Sequence, residues 1–213
     1  MKALVTGFEP FGGETVNPAF EALAVLPARI GALTVAVCAL PAVFGRALDA
    51  LAEAVAETAP DIVLGVGLAG GRVALSLERV AINIEDARIA DNAGQQPIDR
   101  PVIPDGPPAY FTTLPIKAAV AALREAGLPA VVSNTAGTFV CNHLFYGLMH
   151  LRATQRPGLR AGFLHVPYLP RQAARHDGAP SMALEEIARG IEIVLGVAAS
   201  RTADLAAAEG AIS

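Results

Sequence analysis

What most limits the fold of this chain is its alternation of short β-branched runs with longer stretches rich in Ala and Leu. The runs are KALVTG (2–7), LTVAVCAL (33–40), DIVLGVG (61–67), VALSLERVAIN (73–83), 129–133 and 160–166. Between them lie helical patterns. Asn17 and Pro18 read as a cap and a first helical residue opening a helix to about Leu26. Residues 43–58 carry Val43, Ala47, Leu48, Leu51 and Val55 at helical spacing, and further helices are expected at 116–126, 141–153 and 181–199. Parallel strands need crossover connections, and crossover helices lie on the sheet faces. The order therefore predicts an α/β fold: a three-layer α/β/α sandwich with a mixed, mostly parallel central sheet. DIVLGVG is apolar throughout, as expected of a strand covered on both faces, whereas 73–83 alternates with period two and reads as one strand. No repeat or break divides the 213 residues, so 1–213 reads as a single domain, with about 200–213 frayed.

Composition narrows the classes of partner. The chain is 53% hydrophobic and 17% charged, which suits a globular protein rather than a disordered one. A net charge of −4 offers no basic surface to nucleic acid or an anionic membrane. No charge-free apolar stretch approaches the ~18 residues of a membrane span, and MKALVTGFEPFGG does not read as a signal peptide. Two cysteines make no disulfide framework, so a reduced, cytoplasmic protein with free thiols is expected. No His/Cys/Asp cluster has metal-ligand spacing, and neither Gly-rich loop is a nucleotide fingerprint, so no metal or cofactor is expected. Residues 86–113, rich in Pro, Gly, Asp and Gln, form a loop long enough to suggest function or partner binding.

In open α/β sheets ligands bind beyond the carboxyl ends of the strands. There this sequence places GFEPFGG (7–13), LAGGR (68–72), NTAGTFVC (134–141) and LHVPYLP (164–170). Cys141 falls in the first turn of a helix, where unpaired amides and the positive end of the dipole favour a thiolate. A small core cysteine fits the same place, and the residues alone leave both readings open. Cys38, in mid-strand, reads as structural. A nucleophilic thiol needs a base. Of the four histidines, His143 points away from Cys141 on the same helix, His150 lies two turns on, and His176 sits in a polar loop. His165, at a strand end, is the best base by elimination, and a satisfied core histidine fits the same place. An orienting carboxylate completes such a set, and Glu78 competes for that role with Glu85, Asp86 and Asp91. The loop glycines read as close backbone approach to a small ligand. A nucleoside hydrolase or phosphorylase, or a non-catalytic binder of blocked N-termini, are the rival readings.

Four segments, TGFEPFGGETVNP (6–18), ERVAINIEDARIADN (78–92), SNTAGTFVCNHLFYGLMH (133–150) and GFLHVPYLP (162–170), resemble the pyroglutamyl peptidase I family, also called pyrrolidone-carboxylate peptidase. The resemblance implies a cysteine peptidase that removes N-terminal pyroglutamate from peptides. It implies a triad of Glu78, Cys141 and His165 and puts Arg88 near the oxyanion. Phe8, Phe11, Phe139 and Val140 are implied around the pyroglutamyl ring, with Asn17 among the substrate-binding residues, and the assembly is implied to be a homotetramer. The chain departs from the family at Leu68, where Gln is common, at Asn134, where Tyr is, and at Ala90, where Pro is.

Overall fold

The computed structural model describes residues 1–210. Seven strands form the main sheet, in the order β2-β3-β1-β4-β9-β5-β8. They are β1 (Lys2–Phe8), β2 (Arg29–Ile30), β3 (Leu33–Leu40), β4 (Ile62–Leu68), β5 (Leu75–Glu78), β8 (Ala130–Ser133) and β9 (Arg160–Val166). A separate antiparallel pair joins β6 (Val80–Ile82) to β7 (Ala109–Phe111). Helices α1 (Pro18–Val25), α3 (Ile116–Glu125) and α6 (Leu184–Ser200) cover one face; α2 (Arg46–Thr58) and α4 (Val140–Thr154) cover the other. A single turn, α5 (Pro170–Ala173), follows β9.

Strand residues sort by parity between the two cores. Ala3, Val5, Ile62 and Leu64 pack toward α1, α3 and α6, while Leu4, Val63 and Phe163 pack toward α2 and α4. β4 is buried over its whole length, as its unbroken apolar run requires. Asn17 caps α1 through Oδ1, which accepts from Ala19 N at 3.0 Å, and Pro18 takes the first helical position.

Two expectations fail in instructive ways. Residues 73–83 are not one strand. Arg79 breaks them: its N–H donates to Ser133 O at 2.8 Å in the main sheet, and its carbonyl accepts from Thr112 N at 3.0 Å beside the small one. The chain changes sheets there. The direction of β5 is the second surprise. It pairs antiparallel with β9 and parallel with β8, in the register Ser76↔His165 and Glu78↔Phe163. Ser133, the carboxyl end of β8, is therefore level with Phe163, the middle of β9, rather than on the upper edge.

The expectation of fraying from about 200 onward is also corrected as far as Gly210. Asp204 accepts from the backbone of Lys117 and Ala118 at 3.0 and 2.9 Å, capping α3 from outside. Glu209 pairs with Arg124 through both carboxylate oxygens, and its carbonyl accepts from Arg79. The rest of that segment, 211–213, lies outside the described residues. Among the described residues no helix is long and apolar enough to cross a membrane.

Candidate active site

His165, next to the last residue of β9, is 3% exposed, and its Nδ1 lies 2.7 Å from Glu78 Oε1. A carboxylate only accepts, so Nδ1 carries the proton and Nε2 is left with its lone pair. Phe163 packs edge-on against the imidazole at 5.0 Å and fixes the plane of the ring. Glu78 itself is 0% exposed. Its rivals are engaged elsewhere. Glu85 pairs with His143 and Arg100, Asp91 accepts from the backbone of Phe44, Ala93 and Gln95, and Asp86 lies at the cavity rim.

Cys141 is the second residue of α4 and is buried. Gly67, the β4 neighbour of His165, explains how the thiol comes so close to the sheet: a Cβ there would stand 2.8 Å from Cys141 Sγ. The residues after Cys141 anchor it. Asn142 bonds Ile82 N, Ile82 O and Ile84 O at 2.9–3.0 Å, and His143 reaches Glu85 at 2.7 Å while accepting from Gly45 N at 3.0 Å. Polar residues inside an apolar helix are the sequence signal for these anchors.

Cys141 and His165 both line a cavity of about 590 Å³. Burial, reinforced by the charge of Glu78, pushes the Cys141 thiol up to about 12, with Arg72 acting the other way. Burial also holds His165 below its ordinary value against the opposing pull of Glu78. Burial thus works against the thiolate expected at the helix N-terminus, and toward a neutral thiol beside a neutral imidazole. Cys38 is half-buried on β3, with its thiol also raised, by burial and then Glu57.

Of the residues expected around the substrate, Phe11, Phe139 and Arg88 line the cavity; Phe8, Asn17 and Val140 do not. Phe11 and Phe139 face each other at 5.9 Å, and Phe44 braces Phe139 edge-on at 5.4 Å. Phe8 and Val140 are core residues at 1% and 2% exposure, packed into the core on the α2/α4 side of the sheet. Asn17 is fully buried in its capping role and also donates to Glu9 O. Arg88 is exposed and makes no hydrogen bond or ion pair among the described residues. It belongs to the long loop after Glu85, which borders the cavity through Asp86, Arg88 and Ile89 and is stitched to the loop before Cys141 by Thr138–Asp86 backbone and hydroxyl bonds.

Other cavity residues were not legible in the sequence. Arg72 reaches Glu78 Oε1 at 2.6 Å. His176, in its polar loop with its side chain 39% exposed, also stacks on Tyr168 at 4.6 Å, meets Glu14 at 2.6 Å and lines the cavity. Of the glycines, Gly12 and Gly70 line the cavity, Gly67 on β4 faces Cys141 and Phe163, and Gly70 also packs under Tyr168.

The pyroglutamyl peptidase family model matches residues 1–201. The pyrrolidone-carboxylate peptidase of Streptomyces coelicolor is 56% identical over 99% of this chain and 98% of its own length; that of Cupriavidus taiwanensis is 55% identical over 95% and 94%. The crystal structure of pyroglutamyl peptidase I from Bacillus amyloliquefaciens matches with a TM-score of 0.95 at 46% identity, covering 97% of this chain and 99% of that one. A mutant pyrrolidone carboxyl peptidase from P. furiosus gives 0.92 at 43% identity, over 95% and 100%. With the whole fold and nearly the whole sequence in register with these proteins, the chain belongs to the pyroglutamyl peptidase family.

Proposed function

We propose that this chain removes N-terminal pyroglutamate from peptides as a cysteine peptidase, with Cys141 as nucleophile, His165 as base and Glu78 as its orienting carboxylate. The observation that carries the reading is the 2.7 Å His165–Glu78 bond at the wall of a cavity that also exposes Cys141. The reaction starts from the neutral pair. As Sγ attacks the carbonyl joining pyroglutamate to the next residue, the thiol proton passes to His165 Nε2, and Glu78 stabilises the imidazolium that forms. The oxyanion is met by amide groups of the first turn of α4 and by the unengaged guanidinium of Arg88. The imidazolium then protonates the leaving amine, the C–N bond breaks, and water hydrolyses the thioester, returning the thiol and releasing pyroglutamate.

Selectivity follows from the walls. Phe11, Phe139 and Leu68 offer an apolar slot to a flat, neutral lactam. An open glutaminyl or glutamyl N-terminus would bring an ammonium into that slot unpaired, at a cost of several kcal/mol. Phe8 and Val140 support the slot from the core behind it. The assembly is proposed to be a cytoplasmic homotetramer; light scattering on a sizing column tests its size.

Hydrolysis of a pyroglutamyl-aminocoumarin by wild type and Cys141→Ala, with the prolyl analogue alongside, tests the reading. Turnover of the pyroglutamyl substrate only, lost in the variant, is expected. Wild-type rates in Cys141→Ala would remove the nucleophile assignment, and cleavage of the prolyl analogue would remove the account of selectivity.

A further inference from the structure

The segment LAGGR, which follows β4, has one residue that the reaction above does not use. Gly71 has φ +88°, and a Cβ on Gly70 would stand 2.3 Å from the Tyr168 hydroxyl. The two glycines let the chain turn tightly under Tyr168 and send Arg72 back toward the triad. There its guanidinium forks. Nη1 donates to Glu78 Oε1 at 2.6 Å, the same oxygen that accepts from His165 Nδ1, and Nη2 donates to Thr135 O at 3.0 Å. Thr135 lies in the loop that leads from β8 to Cys141.

We propose that Arg72 is a positioning residue for the peptidase reaction, tying Glu78 to the nucleophile's loop and acting through that carboxylate rather than on the scissile carbonyl. The inference rests on the triad reading above. The state of Glu78 makes it more than a surface ion pair. Glu78 is completely buried, and its Oε2 has no partner among the described residues, so both of its contacts there converge on one oxygen. Without Arg72 the carboxylate would be a buried charge held by a single imidazole, free to turn about its last torsion and offer either oxygen. The fork geometry suits Arg alone, because a lysine ammonium serves as a point charge. Arg72's charge also opposes protonation of His165 and lowers the Cys141 thiol. The titratable and charged groups around His165 are Glu78 on β5, Arg72 on the turn and Cys141 on α4, with Glu14, Asp86, Arg88, Tyr168 and His176 also lining the cavity.

The test compares Arg72→Met and Arg72→Lys with wild type, reading kcat and KM from pH 4.5 to 9. Arg72→Met is expected to lose about 10- to 100-fold in kcat, the size of effect seen when a group orienting a ligand is removed, with KM little changed. Its acid limb should move to higher pH, since the cation that resists protonation of His165 is gone. Arg72→Lys should return the limb to its wild-type position while recovering only part of kcat. Arg72 lines the open cavity and is 28% exposed, so added guanidinium at non-denaturing concentration should raise the rate of Arg72→Met, and sodium chloride at equal ionic strength should not. A folded Arg72→Met with wild-type kcat and an unmoved limb overturns the proposal. So does a loss that is uniform in pH and unrescued by Lys or guanidinium, which would make Arg72 a loop anchor only. Cys141→Ala run in parallel separates the two claims. Its retention of activity would sink the triad reading, whereas its inactivity beside an unaffected Arg72→Met would sink this inference alone.

Discussion

Replacing Gly67 by Ala is the sharpest single test of how the thiol is placed. The added methyl would stand 2.8 Å from Cys141 Sγ and 2.9 Å from Phe163 Cζ. Relaxed contacts between such atoms are ~3.5–4.0 Å, so the methyl arrives roughly an ångström too close. Cys141 has nowhere to recoil, because Asn142 and His143 pin the helix to β6 and Glu85. Sγ must rotate or shift by a comparable distance, and a misplacement of that size costs on the order of 100-fold in rate. Overpacking a filled core costs ~1–3 kcal/mol, which in a domain of this size lowers Tm by about 2–12 °C. Gly65→Ala is the matched control. Its Cβ would meet Phe163 at 2.6 and 2.9 Å, on the same strand and face, but not the thiol. Both variants should therefore lose similar stability by calorimetry, while kcat/KM on the pyroglutamyl-aminocoumarin falls much further in Gly67→Ala. Wild-type kcat/KM in Gly67→Ala, or equal losses in the two, would refute the account of thiol placement.

Glu78→Gln should lose on the order of a hundredfold in kcat, since it keeps the volume and removes the charge that stabilises the imidazolium; an unchanged kcat would deny Glu78 that part. Because His165 is held below its ordinary 6.5 and Cys141 is raised to about 12, kcat/KM should rise through an acid limb below pH 6.5 and then stay flat past pH 9; a basic limb near pH 8 would contradict a neutral resting pair. A depressed imidazole also means that the unfolded chain binds more protons below 6.5, so Tm should fall from pH 7 to 5, with the lowered carboxyls of Glu14 and Glu85 acting in the same sense. Asp204→Ala should cost about 1 kcal/mol through loss of the α3 cap, or ~2–4 °C in Tm, with activity unchanged; an unmoved Tm would return the tail to a frayed end.

How much could be read in advance depended on whether a residue's neighbours were close in sequence. The layers, the caps and the strands β1, β3, β4 and β9 come from local patterns, and each is where those patterns put it. Cys141 and His165 were legible as a thiol at a helix start and an imidazole at a strand end. Glu78 was not separable from Glu85 on local grounds, because each lies within 3 Å of a buried histidine, and only the fold decides which histidine borders the cavity. Phe8 and Phe11 of GFEPFGG could not be told apart locally either: Phe11 lines the cavity, while Phe8 is buried in the core on the α2/α4 side.

The reversal of β5 is the deeper reason why the site could not be read from one strand edge. The rule that ligands gather at carboxyl ends holds for β1, β4 and β9, which supply Phe11, Leu68 and His165. β5 and β8 run the other way, so Glu78 comes up beside Phe163 from the middle of the sheet, and Ser133 stands at the same level. From there the loop 134–139 must travel back to deliver Cys141 over Gly67. A chain with all its strands parallel would place the end of β8, and with it the start of the following helix, at the carboxyl edge of the sheet. Here the antiparallel junction brings the helix start down against β4 and β9, where Cys141 is only 7% exposed. The burial that raises the thiol follows from that topology, and under the proposed mechanism it makes proton transfer to His165 a step of the reaction rather than a property of the resting enzyme.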